Sequence, residues 1–500
     1  MPEMPARPAW SSRALEVILG LVAALYLAAY VGVGLARIGY PYELEWFEGT
    51  SLDLLRRILA GQSIYVAPSI DFIPHIYTPL YFYVSAELAK CTGVGFLPLR
   101  LVSFVSSIGC FALLFVLARR ESGSAASGLV AAGFFAACFR FSGAWYDIAR
   151  VDSLALLLLL GAVLVMRHRA TLGAAFLAGA LGLLAFFTKQ TSAPMLGALA
   201  LYGAYSARGA ARLALPIVLA VGVTTGTWMF DRATDGWFRY YALAIPGQGT
   251  MPHSIRWLMR FWIRDVPHVA IALAGSAWWL GRLWERRQLG DLGFFGLLLM
   301  AAGFSAWSGR IHAGGYDNVL IPLDAWLAVT SAVAVHDLRK GGSTGSPSAA
   351  ARIVGLLAVA QLAILAYDPR AQIPGALDVE AGNRAVEAIR RLPGDVLVAH
   401  HPYLAVLAGK PAHGHLDLVN TIPRGSEARE RLEREIDEAI RTRRFEAIVL
   451  DRRKDRMYRR RLRPDLEEHY EYRGDLFQGD GLWPYTGLIT RPQDLYMRRP

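Results

Sequence analysis

Long uncharged blocks recur along most of the chain, and they constrain its fold more than any other feature. Each is roughly 20 residues long, the length that an α-helix needs to cross a hydrocarbon core about 30 Å thick. Hydrophobic residues make up 54% of the 500 residues and charged residues only 19%, whereas about a quarter of a soluble protein is charged. A soluble helical protein would have to bury too many such blocks. The sequence therefore predicts an all-α polytopic membrane protein.

These blocks predict about eleven transmembrane helices and a retained first helix, because Leu15–Ala36 is long for a signal peptide and lacks a small-residue cleavage site. The predicted spans are 14–36, 98–118, 124–145, 153–167, 171–188, 192–207, 212–230, 266–284, 291–308, 317–336 and 351–367. The apolar stretch 77–91 is short, so we expect a re-entrant or interfacial helix there.

The basic residues predict the orientation. If 77–91 does not cross, the short loops on the side of the N-terminus hold Arg119, Arg120, Arg167, Arg169, Arg208, Arg212, Arg282, Arg286, Arg287, Arg339 and Lys340. Cytoplasmic loops carry such an excess of positive charge. This excess of basic residues also explains the formal net charge of +11, so we expect the protein to contact membrane lipids and not nucleic acid. The basic loops therefore predict a cytoplasmic N-terminus. The high Ala, Gly and Arg content is typical of bacteria with GC-rich genomes, so the expected location is a bacterial inner membrane.

The composition changes after residue 369. Residues 1–369 form the predicted transmembrane domain, with 341–350 as a flexible linker, and 370–500 a predicted small extracytoplasmic α/β domain. The polar part is predicted to contain helices at Val379–Leu392 and Glu427–Arg443 and short buried strands at Asp395–His401 and Glu446–Asp451. It has no Gly-rich phosphate loop, so no nucleotide cofactor is expected.

The first external loop, residues 37–97, is unusually acidic. Glu43, Glu45 and Glu48 lie within six residues of one another, and Glu45 and Glu48 would share one face of a helix. A carboxylate there can act as a general base or hold a divalent cation such as Mg²⁺ or Mn²⁺. The alternative is a set of solvated acids, or charges that favour the N-terminus of a following helix.

A second external polar set contains Asp147, Arg150 and Asp152. Its structural interpretation is that Asp152 caps the helix that follows and that Arg150 pairs with Asp147. A second external carboxylate that meets the first loop would instead complete a two-carboxylate site. Asp152 is therefore the third catalytic candidate beside Glu45 and Glu48, and Glu48 with Asp152 is a candidate metal pair.

Further polar residues at the same membrane boundary are candidate substrate contacts. Lys189 either extends its amine to the head groups as an anchor or binds a phosphate there. The full set of candidate substrate-binding residues is Glu43, His75, Tyr77, Arg150, Lys189, Gln190, Arg310, His312, Asp317 and Asn318.

Several short motifs follow the acidic first loop in a fixed order: L-x-G-x-x-x-Y at Leu59–Tyr65, Y-x-P-L-Y at Tyr77–Tyr81, R-x-D-S-L-A-L at Arg150–Leu156 and T-K-Q at Thr188–Gln190. This order resembles that of the polytopic glycosyltransferases of the GT-C fold. That class includes the protein O-mannosyltransferases and the lipid A aminoarabinose transferases. The resemblance covers roughly residues 14–340.

The resemblance implies an enzyme that transfers a sugar from a polyprenyl-phosphate donor to a lipid, glycan or protein acceptor on the outer face of the membrane. In that family an acid of the first loop is the base or organises the site. Glu48 matches the second residue of the family's Asp-Glu pair, but Phe47 stands where the Asp would be, so the base is Glu48, Glu45 or Glu43. Asp152 matches the second-loop acid, and Lys189 the lysine near the donor phosphate.

A transporter or flippase of lipid-linked envelope precursors is the main alternative, and an inactive scaffold for envelope assembly is another. A transport path would place polar residues inside spans, and transporters often show paired repeats. Leu154–Met166 and Leu172–Phe187 contain no ionisable residue, and no internal repeat is evident. The sequence therefore favours the enzyme.

Overall fold

A computed structural model of the chain describes residues 12–169, 171–248, 255–312, 314–340, 349–452 and 466–500. Its helices longer than ten residues, labelled α1 to α15, are Ser12–Arg37, Glu48–Leu59, Leu80–Thr92, Phe96–Ser122, Ala125–Ala137, Asp152–His168, Leu172–Thr188, Ala193–Ser206, Ala211–Ala233, Ala270–Glu285, Leu289–Ile311, Ile321–Lys340, Ala349–Ile364, Ala376–Arg391 and Glu427–Arg441. Most of the predicted linker 341–350 lies outside the described residues.

The apolar blocks form the helices that the sequence predicts. Each predicted span coincides with one helix of the set α1 and α4 to α13. Within the described ranges, five segments are long and apolar enough to cross a membrane: Ala14–Arg37, Phe96–Ser122, Ala211–Ala233, Leu289–Ile311 and Asp317–Arg339. Large apolar side chains such as Leu21, Leu213 and Met300 are exposed on these segments. The protein is therefore a multi-pass membrane protein.

One predicted span is wrong in its extent. The predicted span 124–145 is helical only over α5, which ends at Ala137, and residues 138–151 form a loop with left-handed backbone at Gly143 and Ala144. The buried Arg37 donates to Asp147 (Nη2 to Oδ1, 2.6 Å) and to the carbonyl of Ala144 (2.8 Å), which holds this loop against the end of α1. These hydrogen bonds stabilise a loop here, although the composition of the segment is apolar.

The C-terminal α/β region, residues 370–500, contains a four-stranded sheet in the order β1-β2-β4-β3. The strands are Val396–Val398, Ala447–Leu450, Tyr470–Asp475 and Asp494–Arg498. β1 and β2 are fully buried strands, as the sequence predicts. They pair in parallel, and β4 runs antiparallel between β2 and β3. The antiparallel pair of β3 and β4 was not predicted, because the charged residues of the two strands hide their apolar pattern.

The C-terminal α/β region is docked on the first loop. The amides of Tyr485 and Thr486 donate to the carbonyl of Leu44 (2.8 and 3.2 Å), and the amide of Gly414 donates to the carbonyl of Ile70 (2.7 Å). Backbone of the region therefore closes over the acidic segment that carries the candidate catalytic residues.

Candidate active site

Glu48 opens α2 and is a structural residue of the loop. Its buried carboxylate receives two hydrogen bonds from the buried Arg100 (3.0 and 2.6 Å) and one each from the amides of Leu44 and Ala149 (both 2.6 Å). Burial alone would raise the pKa of Glu48, but Arg100 and the two amides lower it overall. Four donors leave this carboxylate little capacity to take a proton from a substrate, so Glu48 ties the first loop to the second.

Glu45 lies in the same turn in a different environment. Its buried carboxylate accepts a hydrogen bond from the amide of Phe47 (3.2 Å), and Oε2 is 3.7 Å from Nη1 of Arg150. Burial raises the pKa of Glu45 to about 8, an effect that Arg150 partly offsets and that the charges of Glu48 and Glu43 reinforce. A general base works best when its pKa lies near the working pH, so Glu45 is better suited to that role than Glu48.

Arg150 connects Glu45 to the aromatic wall of the site. Its Nη2 donates to the hydroxyl of Tyr77 (3.2 Å), and Nη1 lies 3.5 Å from Nε2 of His75. Burial and then Arg150 lower the pKa of His75 well below its usual value, so this imidazole is neutral and stacks on Tyr77. Within the described residues, the buried Nε of Arg150 has no hydrogen-bond partner. Asp147 pairs with Arg37, so the predicted alternative of an Arg150–Asp147 pair is wrong.

Asp152 begins α6 and faces the end of α7. Its Oδ1 accepts from Nζ of Lys189 (2.6 Å) and from the side-chain amide of Asn318 (2.9 Å). The N-cap position of α6 is occupied by Val151, and Asp152 is the first residue of the helix, so the interpretation of Asp152 as the helix cap is wrong. Within the described part of the chain, the buried Oδ2 has no hydrogen-bond partner. Gln190 fixes the adjoining loop by donating to the carbonyl of Ile76 (2.8 Å).

Arg310 and Asp317 form a neighbouring ion-pair network. Arg310 is buried at the end of α11 and donates to Asp265 (2.6 and 3.0 Å) and to Asp317 (2.9 Å), which also pairs with Arg264 (3.1 Å). Arg264, Asp265 and Asp317 line a cavity of about 240 Å³. Two carboxylates therefore hold the guanidinium of Arg310, which was predicted to contact a substrate.

His312, which the sequence predicts in one cluster with Arg310, follows the end of α11 at Ile311. Its Nε2 lies 3.2 Å from the carbonyl of Pro246. A substrate contact at His312 stays a prediction.

Glu43 contacts the C-terminal α/β region. One oxygen accepts from the amide of Gly49 (2.9 Å) and the other is 2.5 Å from Nδ1 of His401, whose Nε2 is 3.0 Å from Asp451. Burial raises the pKa of Glu43 to about 7, although His401 and the amide of Gly49 lower it. The carboxylate of Glu43 is thus held by a histidine, which distinguishes it from those of Glu45 and Glu48.

Glu48 and Asp152, which were predicted to share a metal ion, differ in the number of hydrogen bonds that their carboxylates already accept. Glu48 is saturated by donors, whereas Asp152 keeps one oxygen open. The described residues contain no group of three or more His, Cys, Asp or Glu side chains arranged to hold a metal ion. The residues present do not fit a shared metal at Glu48, so a divalent cation stays a prediction and enters no step below.

Comparison with known proteins identifies the fold. No family model and no curated protein matches the chain. A crystal structure of ArnT from Cupriavidus metallidurans bound to undecaprenyl phosphate matches 95% of this chain and 97% of its own, with a TM-score of 0.57 and 13% identity. A structure of the same protein in the apo state has a TM-score of 0.58 at the same identity and coverage. The chain has the fold of ArnT. The GT-C fold predicted from the motifs is confirmed.

Proposed function

We propose that the protein is an integral membrane glycosyltransferase that uses a polyprenyl-phosphate sugar as donor. One observation carries this proposal: the buried Glu45, with its raised pKa, lies 3.7 Å from Arg150 in a site that also contains the Lys189–Asp152 pair. A base and two cations are what displacement of a phosphate from a sugar requires.

The reaction is a displacement at the anomeric carbon with inversion. Glu45 takes the proton from an acceptor hydroxyl or amine, the acceptor atom forms a bond to the anomeric carbon, and the bond from that carbon to the phosphate oxygen breaks. The electron pair leaves with the polyprenyl phosphate. A phosphate monoester is a good leaving group when cations stabilise it, so no nucleotide is needed.

Lys189 and Arg150 are the cations assigned to the phosphate. An ammonium has three donors, and Asp152 takes one from Lys189. Arg150 keeps its Nε without a partner among the described residues. Lys189 is also the more accessible of the two, with 13% of its side chain exposed.

The finer features predicted from the sequence complete the proposal. About eleven helices would cross a bacterial inner membrane. Helices α5 to α8, α10 and α13 are shorter than the usual span of about 20 residues, so the bilayer would thin around them or neighbouring helices would shield their ends. The acidic loop and the C-terminal α/β region would face outward and the N-terminus inward. The acceptor would be a lipid, glycan or protein of the cell envelope.

Replacing Lys189 with methionine is expected to remove most of the stabilisation by undecaprenyl phosphate in a thermal-shift titration of the detergent-purified protein. A lost charge-assisted hydrogen bond is worth about 1.5–3 kcal/mol, which lowers affinity at least about tenfold. Lys90→Met is the matched control, because Lys90 is exposed and pairs with Glu87 on α3. A plain long-chain alkyl phosphate controls for detergent-like effects.

The outcomes of this titration separate the two parts of the proposal. If undecaprenyl phosphate does not shift the melting temperature of the wild type more than the control phosphate does, the donor class is rejected. That result would favour a transporter or an inactive scaffold. A specific shift that persists in Lys189→Met would keep the donor and reject Lys189 as its phosphate ligand.

The rate of transfer is expected to rise with pH and level off above about pH 8, because only the deprotonated Glu45, with its pKa of about 8, accepts a proton. Arg150 lowers this pKa, so Arg150→Gln should move the rise to higher pH. The measurement is kcat against pH with a donor that the wild type turns over, and Arg119→Gln, at an exposed position of α4, is the control. A rise that stays in place in Arg150→Gln would contradict the assignment of Glu45 as the base.

A further inference from the structure

Two histidines of the C-terminal α/β region each bridge an acid of the first loop and an acid of their own region. His401 lies between Glu43 (2.5 Å) and Asp451 (3.0 Å), and its side chain is buried. His413 lies between Asp71 (2.7 Å) and Asp395 (2.9 Å), and Arg444 also pairs with Asp71 (2.6 Å). The same arrangement thus occurs twice at one junction, once inside the acidic turn and once outside it.

His401 makes both of its bonds as a donor. A carboxylate accepts hydrogen bonds, so a ring with one carboxylate on each nitrogen carries two protons and a positive charge. Burial alone would lower its pKa, but Asp451 and Glu43 raise the pKa of His401 to about 10. The pKa of Asp451 falls to about 2, mainly through His401 opposing the effect of burial. The bond to Asp451 therefore persists at neutral pH, and the bond to Glu43 joins it when Glu43 is ionised.

The bond from His401 reaches the backbone of the catalytic turn. The second oxygen of Glu43 accepts the amide of Gly49, and a Cβ at Gly49 would lie 2.5 Å from that oxygen, so the contact depends on glycine. The amide of Glu43 donates to the hydroxyl of Tyr403 (3.3 Å). Glu43 therefore ties the two ends of segment 43–49, which includes Glu45, to residues just after β1.

Glu45 itself touches the same region. It pairs with Thr486 in an isolated parallel bridge, and a Cβ at Gly487 would lie 2.7 Å from its Oε1. The position of Glu45 relative to Arg150 is thus set from one side by α2 and the second loop, and from the other by the C-terminal α/β region.

We propose that His401 is a positioning residue for the reaction: by holding Glu43 against Asp451 it fixes segment 43–49, and with it the carboxylate of Glu45, in the orientation needed to deprotonate the acceptor. This inference rests on the proposed function. In this arrangement the C-terminal α/β region contributes residues that position the catalytic carboxylate. The titratable groups that face His401 are Glu43, Asp451, His400 and Tyr403.

The experiment compares His401→Phe with His413→Phe in the full-length protein. Each removes one histidine bridge from the same junction, but His413 holds Asp71, which Arg444 continues to bind. His401→Phe is expected to lower kcat about 100-fold, as a displacement of about 1 Å does, with the donor KM within about twofold of the wild type. Rates are divided by the fraction of protein that binds undecaprenyl phosphate, so that misfolded protein does not count. His413→Phe should stay within about twofold of the wild type in both constants.

Hydrogen exchange supplies a second measurement that does not depend on turnover. The amide of Gly49 donates to Glu43, so the backbone amides of peptides covering 43–49 should exchange faster in His401→Phe. Their exchange rate in His413→Phe should equal that of the wild type. His401→Gln, which keeps an N–H donor but cannot place one nitrogen on each carboxylate, should be intermediate in both exchange and kcat.

Three results would overturn the inference: unchanged exchange of 43–49 in His401→Phe, faster exchange with unchanged kcat, or equal losses of kcat in the two phenylalanine variants. A wild type that transfers no sugar would reject the proposed function, while a change of exchange confined to His401→Phe would still support the coupling. If His401→Phe does not fold, His401→Gln and Asp451→Asn are measured in its place against His413→Phe.

Discussion

Replacing Arg100 with methionine is expected to lower the free energy of unfolding by about 3–5 kcal/mol, the usual cost of removing one partner from a buried ion pair. Arg100 and Glu48 are both fully buried. Arg100 also donates to the carbonyls of Tyr40 (2.5 Å) and Tyr42 (2.6 Å). The variant would leave the Glu48 carboxylate without its cation and two carbonyls of the first loop without a donor.

The measurement is the midpoint of thermal unfolding in detergent, with Lys90→Met as control. Lys90 and Glu87 form an exposed pair on α3, and such pairs contribute about 0–1 kcal/mol. The double variant Arg100→Met with Glu48→Gln should recover part of the loss, because it removes the uncompensated charge. An Arg100→Met protein as stable as the wild type would show that the pair is not the anchor of the first loop.

The helical part of the fold could be predicted because membrane-spanning helices need only local information. A block of apolar residues has one stable conformation in a hydrocarbon core, where every backbone group must bond within its own segment. The segment 138–145 was misjudged for the same reason. Its composition is apolar, but Arg37 binds the carbonyl of Ala144 and the carboxylate of Asp147, and Glu48 accepts the amide of Ala149, which makes a loop stable there.

The candidate site was predictable where its residues lie in short motifs at helix ends. Arg150 and Asp152 precede α6, and Lys189 follows α7. Two helices joined by a tight turn bring such positions to the same side, and the structure joins Asp152 to Lys189 at 2.6 Å. Asn318 reaches the same carboxylate from a distant part of the chain.

The partners that distinguish the three glutamates could not be predicted. Arg100 lies 52 residues from Glu48, and His401 lies 358 residues from Glu43. Arg100 falls within a predicted span, where a buried arginine has no local signal of its partner, and His401 belongs to a region that the resemblance does not cover. An arginine within a membrane-spanning segment usually pairs with an acid. That rule predicts that Arg100 has an acidic partner, but not which acid it is.

These partners give three neighbouring carboxylates three different chemistries. Glu48 is ionised and saturated by donors, Glu43 is held by a histidine, and Glu45 has a pKa raised to about 8 beside a single cation. Environments that separate the pKa values of neighbouring acids are how enzymes assign them different roles. The assignment of the base to Glu45 therefore follows from its surroundings and not from its position in the motif.

Replacing Glu45 with glutamine is expected to lower kcat about 10²- to 10⁴-fold, the usual contribution of a general base, while the protein folds and still binds undecaprenyl phosphate. The amide has the shape of the carboxylate but takes no proton. Folding should be retained because the substitution removes a buried charge that has one cation 3.7 Å away, and Arg150 keeps its bond to Tyr77. The measurement is single-turnover transfer from the undecaprenyl-phosphate sugar that the wild type accepts.

Glu48→Gln is the matched comparison, three residues along the same turn. It leaves the buried Arg100 without an anion, so we expect it to lower the unfolding midpoint far more than Glu45→Gln does, and to lower transfer through loss of folded protein. Glu45→Gln should do the reverse, with a stable protein and little transfer. A stable Glu45→Gln enzyme that transfers sugar at the wild-type rate would exclude Glu45 as the base, and Glu43, the remaining acid of the turn with a raised pKa, would take its place.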